Sequence, residues 1–198
     1  MTVPRTAPGG AAPHRAPVEL LRLDRPGPRT ERARARVGGL RPAPGQRRFV
    51  APVAATLPKA DAAAGQVPFA VLSGGEEVGF GILDTSVPSG TGVVPGTAIT
   101  DAPERAVLLR SFLIALERQG QGIGRAACAR LDPLAREVAP AAREILLTVN
   151  TANPAARRAY LAGGFADTGR LYLGGTAGPQ HVLAKPLPPA PGPASPAR

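Results

Sequence analysis

The chain has 198 residues, a length typical of one domain, and 43% of them are hydrophobic, which excludes wholesale disorder. The net charge of +10 would suit a nucleic-acid-binding protein, but Trp is absent and Phe and Tyr number only five and two, so few rings can stack on bases. A single cysteine excludes an internal disulfide. Because the chain has only this cysteine and two histidines, a metal site is also disfavoured.

The two ends of the chain differ in composition from the middle. Residues 1–17 and 188–198 are rich in Pro and Ala, so we expect two disordered tails around one domain at 18–187. The sequence has no run of about 18 apolar residues, and its first residues lack the apolar stretch of a secretory signal. We therefore expect a cytoplasmic protein that does not enter a membrane, either a monomer or a homodimer.

The first part of this domain predicts three strands and two helices. In chain order they are a strand at 18–23, an Arg-rich helix at 30–38 capped by Thr30, a helix at 57–64, and strands at 67–73 and 77–84. Gly74 and Gly75 indicate a hairpin between the last two strands, because glycine readily takes the positive φ that such turns need. Residues 85–104 are rich in Gly, Pro, Ser and Thr and predict a long loop.

The second part predicts strands that alternate with helices. They are a strand at 106–116, a helix from Ile123 to Val138, a strand at 144–149, a helix at 154–162, and strands at 165–173 and 181–185. Pro133 predicts a kink or break in the first of these helices. Asn153 is the expected N-cap of the second, with Pro154 at its first position. The alternation predicts a mixed α/β sheet.

The segment Gln119–Gly124 (QGQGIG) joins a strand to a helix and has glycine at three alternate positions. Such a backbone can approach a ligand closely, and the amides at the start of a helix bind phosphate. A tight turn is the alternative interpretation. The pattern is not a P-loop, because Arg125 and Ala126 stand where Lys and Ser or Thr are needed, and it is not a dinucleotide fingerprint, whose third glycine comes one position later.

A second motif follows the strand at 144–149. The pattern Asn-x-x-Ala-x-x-x-Tyr-x-x-x-Gly-Phe is matched by Asn153, Ala156, Tyr160, Gly164 and Phe165, and the pattern Gln/Arg-x-x-Gly-x-Gly/Ala by Gln119, Gly122 and Gly124. With both motifs in order, the chain resembles the GNAT superfamily of acyl-CoA-dependent N-acetyltransferases over about 18–187, and more weakly its diamine and spermidine acetyltransferases. The resemblance implies an α/β fold with a mixed, mostly antiparallel central sheet of six to seven strands and about four flanking helices.

The resemblance also implies a reaction and a set of site residues. Acetyl-CoA would be the co-substrate, and its acetyl group would pass to a primary amine of a small molecule or a protein by direct attack in a ternary complex, without a metal. Tyr160 would be the acid for the departing thiolate, with Tyr172 as its competitor. The residues implied to bind acetyl-CoA are Phe112, Leu113, Ile114, Gln119, Gly120, Gln121, Gly122, Ile123, Gly124, Arg125 and Asn153. The Ile114 amide would polarise the thioester carbonyl, and Arg118 and Arg125 would contact phosphates.

Several points stay open on the sequence alone. Glu77, Asp84 and Glu117 are candidate bases by position, and none is favoured. The arginines of the first helix would lie at the acceptor site and favour an acceptor with a carboxylate or phosphate; they are Arg29, Arg32, Arg34 and Arg36. A non-catalytic acyl-CoA-binding domain and a basic nucleic-acid-binding protein are the two competing functions.

Overall fold

A computed structural model of the protein describes residues 16–88 and 98–188, so most of the two predicted tails and the centre of the 85–104 loop lie outside the described residues. The strands are β1 (Val18–Arg22), β2 (Gln66–Ser73), β3 (Glu76–Asp84), β4 (Ala106–Ile114), β5 (Glu144–Asn150), β6 (Ala166–Tyr172) and β7 (Gln180–Pro186). The α-helices are α1 (Pro28–Val37), α2 (Val53–Ala62), α3 (Ile123–Ala129), α4 (Leu131–Val138) and α5 (Pro154–Ala162).

The seven strands form one sheet in the order β1-β2-β3-β4-β5-β7-β6. All neighbours are antiparallel except β4 and β5, which run parallel. The predicted mixed, mostly antiparallel sheet is therefore confirmed. Helices cover both faces: α3, α4 and α5 pack on one apolar cluster, and α1 and α2 pack on a second cluster across the sheet.

The predicted break near Pro133 is present and divides one expected helix into α3 and α4, which is why the described residues form five α-helices rather than four. Proline lacks an N–H, and its ring would clash with the carbonyl of Ala129, four residues earlier, so α3 ends there. Lys185 of β7 reaches the break, where its Nζ donates to the carbonyl oxygen of Cys128 at 3.0 Å and forms an ion pair with Asp132.

Two predicted helix starts are wrong. The first helix begins at Pro28 rather than at Thr30, because proline has a fixed φ that suits the first helical position. Thr30 is consequently buried within the first turn and caps nothing. The helix expected at 57–64 begins four residues earlier, at Val53, directly after Pro52. Its register places Val53, Leu57 and Ala60 on one buried face.

The hairpin between β2 and β3 forms as predicted. Ser73 pairs with Glu76, so the turn has two residues, and Gly74 and Gly75 have φ values of +61° and +85°. Positive φ at both positions matches the twist of the flanking strands. The hairpin brings Gly79 of β3 directly opposite Ile114 at the end of β4.

The close contact at Gly79 yields a prediction about stability. A Cβ at this position would lie 2.7 Å from the carbonyl oxygen of Leu113 and 2.7 Å from Cδ1 of Ile114, so Gly79→Ala forces β3 and β4 apart. We expect the free energy of unfolding in urea to fall by about 1–3 kcal/mol. Gly45→Ala is the matched control, because no atom lies within 4 Å of the added Cβ, and it should change stability by less than about 0.5 kcal/mol. Equal losses in the two variants would contradict the steric explanation.

Candidate active site

The parallel strands β4 and β5 pair over only part of their length. Their register runs from Ala106 opposite Glu144 to Leu109 opposite Leu147, where the pairing ends. Beyond that point β4 continues to Ile114 and β5 to Asn150. A cavity of about 820 Å³ opens at the unpaired ends of both strands. The protein therefore has a cleft in the middle of its sheet, with free backbone edges on two sides.

A β-bulge in β4 occurs at the place where β4 and β5 stop pairing. On the β3 side, Ile82 pairs with Arg110 and Phe80 with Leu113, so two residues of β4 lie opposite Gly81. Ser111 is one of them, and its φ of +50° is uncommon outside glycine. Gly81 makes room, because a Cβ there would lie 2.5 Å from the ring of Phe69.

The bulge changes which face of the sheet each residue of β4 occupies. Leu109 and Phe112 both belong to the cluster under α3, although they are three positions apart, whereas Leu113 packs in the cluster under α1 and α2. Without the extra residue, positions 109 and 112 would lie on opposite faces. Arg110 pairs with Ile82, which also packs under α1 and α2, so its side chain lies on the face opposite α3.

The glycine loop before α3 exposes a row of backbone amides. Gly120 and Gly122 have φ values of +75° and +77°, and the first hydrogen bond of the helix runs from the Ala126 amide to the Gly122 carbonyl at 3.0 Å. Among residues 16–88 and 98–188, no acceptor is within hydrogen-bonding distance of the amides of residues 120–125. Free amides together with the positive end of a helix dipole suit an anionic ligand.

The side chain of Gln119 ties this loop to the end of β4. Its Nε2 donates to the carbonyl oxygen of Ile114 at 2.8 Å and to Oε1 of Gln46, also at 2.8 Å. Gln46 in turn donates to Oε1 of Gln119 at 3.2 Å. The loop, the end of β4 and the segment between α1 and α2 are thereby held around one cavity.

The structure brings together nearly all of the site residues expected from the sequence. Those that line the cavity are Phe112, Leu113, Ile114, Gln119, Gly120, Gly122, Ile123, Gly124, Arg125, Asn153 and Tyr160. Gln121 is not part of the lining, and its side chain donates to the carbonyl of Glu117 at 3.2 Å. Asn153 caps α5 as predicted, since its Oδ1 accepts from the Ala156 amide at 3.2 Å.

Tyr160 lies on α5 between two aromatic rings. Its ring centroid is 6.1 Å from that of Phe112 and 6.1 Å from that of Phe165. Burial raises the pKa of Tyr160 above its ordinary value of 10, so the hydroxyl stays protonated at neutral pH. The hydroxyl has no hydrogen-bond partner in the part of the chain that the structure describes. Tyr172, its competitor, also lines the cavity.

The charged residues of the cavity lining are all basic. Arg110, Arg118, Arg125 and Arg158 line it, and none of the described lining residues is Asp, Glu or His. Arg110 and Arg158 were not predicted from the sequence as site residues. The signal for Arg110 was available, since it is the one charged residue in the otherwise apolar strand AVLLRSFLI.

The three candidate bases lie away from the cavity lining. Glu77 has its carboxylate 3.8 Å from Arg36, and Glu117 is exposed. Asp84 is buried and accepts a hydrogen bond from Arg110 at 2.7 Å. These three residues were candidate bases only because of their positions in the sequence. The geometry favours none of them as the base.

The arginines of α1 also lie outside the cavity lining, contrary to expectation. Three of them form ion pairs with carboxylates of other elements, and the fourth is exposed. The pairs are Arg29 with Glu19, Arg34 with Asp61 and Arg36 with Glu77, and the exposed residue is Arg32. Three of the four arginines of α1 are thus engaged by carboxylates of the protein itself, outside the described cavity lining.

The described residues offer neither a metal-binding cluster nor a membrane-spanning helix. Residues 16–88 and 98–188 contain no group of three or more His, Cys, Asp or Glu side chains that could hold a metal ion. None of the helices within these ranges is both long and apolar enough to cross a membrane.

Comparisons with known proteins place the chain among acetyltransferases. The model of the acetyltransferase (GNAT) family matches residues 41–165. No curated protein sequence matches significantly.

Solved structures of low sequence identity share the fold. Spermidine N-acetyltransferase from Vibrio cholerae, in complex with CoA and spermine, is 17% identical with a TM-score of 0.57, covering 86% of this chain and 95% of that one. The aminoglycoside acetyltransferase AAC(6')-Ib with coenzyme A and kanamycin is 18% identical with a TM-score of 0.55, covering 85% and 94%. The same protein with paromomycin and acetyl-CoA is 21% identical with a TM-score of 0.51, covering 63% and 67%.

The lone cysteine, which is buried on α3, yields a prediction about reactivity. Cys128 is fully buried, and burial raises the pKa of its thiol to about 12. We expect no reaction with an aromatic disulfide reagent at pH 8 in the native protein and one reactive thiol per chain after unfolding, because only an accessible thiolate can attack the disulfide of the reagent. Native labelling at the rate of a free thiol would contradict the burial of this side chain.

Proposed function

Because the chain belongs to the acetyltransferase (GNAT) family, we propose that it is an N-acetyltransferase that passes the acetyl group of acetyl-CoA to a primary amine. Transfer occurs by direct attack in a ternary complex. The observation that carries the proposal is the position of the row of free amides at residues 120–125, which borders the same cavity as the unpaired ends of β4 and β5. An anion-binding loop and an open strand edge together suit a long donor that has a diphosphate and an amide-rich arm.

The glycine loop would hold the pyrophosphate of the donor. Its free amides supply hydrogen bonds, and Arg118, Arg125 and Arg158 surround it with positive charge. Arg118 is paired with Glu76 on the exposed surface, so Arg125 and Arg158 contribute most of the net charge. These contacts fit two adjacent phosphates without requiring a metal ion.

The free edge of β4 would hold the pantetheine arm and the thioester. The Ala115 amide donates to the Val78 carbonyl of β3 at 2.9 Å, so the amide of Ile114, one residue earlier, points to the opposite edge of the strand. That edge faces the gap that β5 has left. The Ile114 amide can therefore donate to the thioester oxygen as negative charge develops on it. When bound, acetyl-CoA supplies the activated acetyl group.

The acceptor amine must lose its proton before it attacks. An alkylamine with a pKa of about 10.4 is neutral in about one of 2,500 molecules at pH 7, which costs about 4.6 kcal/mol. Since no carboxylate or imidazole lies among the described lining residues, water in the cavity would relay this proton to the buffer outside. The transfer forms a C–N bond and breaks the C–S bond, and it releases CoA thiol and one proton.

Tyr160 would assist the departure of the thiolate. Its raised pKa keeps the hydroxyl protonated, but it also makes the hydroxyl a weaker acid than a thiol, whose pKa is about 8.5. Complete proton transfer to sulfur is therefore uphill at the outset. The hydroxyl acts first as a hydrogen-bond donor to the sulfur, and the developing negative charge strengthens this bond.

The first test of the function compares two glycine variants. Gly120 and Gly169 have nearly equal φ values, +75° and +76°, and a Cβ at either would meet no atom within 4 Å, so Gly→Ala imposes similar backbone strain at both. We expect Gly120→Ala to weaken CoA binding about 10-fold or more in calorimetry, because the amides of the loop move. Gly169→Ala should leave CoA affinity unchanged. Equal affinities would count against the pyrophosphate site.

The second test measures amine-dependent release of CoA thiol from acetyl-CoA. We expect Tyr160→Phe to lower kcat by about 10- to 10³-fold while CoA affinity stays the same, since only the hydroxyl is lost. Tyr172→Phe removes the other hydroxyl in the cavity and identifies which tyrosine assists the leaving group. Unchanged turnover in Tyr160→Phe would refute its role. CoA binding without thiol release for any primary amine would instead indicate the non-catalytic acyl-CoA-binding domain.

A further inference from the structure

We propose that the acceptor is a primary amine that also carries an anionic group, a carboxylate or a phosphate, and that Arg110 binds this group. The inference rests on the proposed function and names the class of substrate for the same cavity. The proposal is carried by two features. A guanidinium is held in place on the face of the sheet opposite α3, which we call the acceptor side, and the described lining residues carry no negative charge.

Arg110 is held in place by a buried carboxylate. One Nη donates to Oδ2 of Asp84 at 2.7 Å, and Asp84 is 1% exposed. Asp84 also accepts from Nε2 of Gln66 at 2.9 Å and from the Ser86 amide at 2.8 Å, so it cannot swing away without losing three bonds. The Arg110 side chain itself is 51% exposed, and the cavity lining includes it. A guanidinium has five N–H donors, so most of those of Arg110 are available to a ligand.

The position of Arg110 separates it from α3 and the glycine loop before it, which are proposed to bind the phosphates of the donor. It lies on the face of the sheet opposite α3, because it pairs with Ile82, which packs under α1 and α2, and directly follows Leu109, which packs under α3. The other arginines of the lining belong to the glycine loop and its flanks or to α5. Two other lining residues that pack on this face, Val50 and Tyr172, are uncharged. Arg110 is thus the charged group of the described acceptor side.

The acceptor side offers no carboxylate to a polycation. No Asp or Glu is among the described lining residues. The segment 89–97, SGTGVVPGT in sequence, contains no acidic residue, and neither do residues 1–15 and 189–198. All acidic residues of the chain therefore belong to the described ranges, and none lines the cavity. An amine with additional positive charges would meet no carboxylate in the described lining, whereas an anionic group would form charge-assisted hydrogen bonds with the N–H groups of Arg110 that Asp84 does not use.

The test uses amines of one chain length that differ in charge. Butylamine, 4-aminobutanoate and 1,4-diaminobutane present the same primary amine with a neutral, anionic or cationic far end. Ethanolamine and O-phosphoethanolamine form the matched phosphate arm. We expect kcat/KM to be about 10- to 100-fold higher for one of the two anionic amines than for its neutral partner, and lowest for the diamine. The better anionic arm identifies carboxylate or phosphate. A diamine that matches or exceeds both anionic amines overturns the proposal.

Variants of Arg110 test whether this residue causes the preference. Arg110→Gln leaves Asp84 buried without its partner, so the double variant D84N/R110Q is made beside it to preserve folding. Both should lose the anionic preference chiefly through a higher KM, while turnover of butylamine is retained. Arg32→Gln removes the same charge from the exposed face of α1 and should keep the preference. A preference that survives in folded D84N/R110Q overturns the role of Arg110.

Two measurements separate this proposal from the proposed function. Turnover of butylamine, which has no anionic group, tests acetyl transfer without Arg110. If no amine is acetylated, calorimetry of 4-aminobutanoate and O-phosphoethanolamine with the CoA-saturated protein still tests the anion site. Binding that D84N/R110Q abolishes and Arg32→Gln preserves supports the anion site, and absence of binding by both compounds overturns it.

Discussion

The architecture of the site depends on one interruption of backbone pairing. After Leu109 and Leu147 the parallel strands β4 and β5 separate, and the bulge at Ser111 lies at that point. In a continuous sheet both edges would be consumed by ladder hydrogen bonds, and no cavity could exist in the middle. Here the edge of β4 beyond Leu109 stays unpaired with β5 and is the surface proposed to bind the donor. The positive φ of Ser111 is an unfavourable backbone conformation, and the surrounding sheet holds the residue in it.

The same bulge divides the cavity into two chemical environments. It leaves Leu109 and Phe112 on the α3 side and Arg110 on the other, so the proposed donor and acceptor approach the gap from opposite faces. On the α3 side, free amides and arginines favour phosphates. On the acceptor side, one guanidinium stands among uncharged side chains. Acetyl transfer then requires only that the donor and the acceptor meet in the gap where β4 and β5 have separated.

Features of the fold that depend on residues close together in the sequence were predicted. Features that depend on pairing between distant segments were not. The break before Pro133, the Asn153 cap and the Gly74–Gly75 turn each depend on nearby residues, and all three were predicted. The bulge was not, because it is a property of the register between β3 and β4 and no pattern within β4 encodes it. The ion pairs of the α1 arginines were not predicted for the same reason. Their partner carboxylates come from β1, α2 and β3, which lie far apart in the chain.

The reach of Lys185 across the fold has a consequence for the order in which the protein is built. Its ammonium group binds the carbonyl end of α3, and α3 begins at the glycine loop. The strand that carries Lys185, β7, inserts between β5 and β6 in the sheet. A nascent chain on the ribosome therefore carries every residue of the glycine loop long before the strand that secures its helix has been made. The proposed donor site would reach its final form only after β7 has left the exit tunnel.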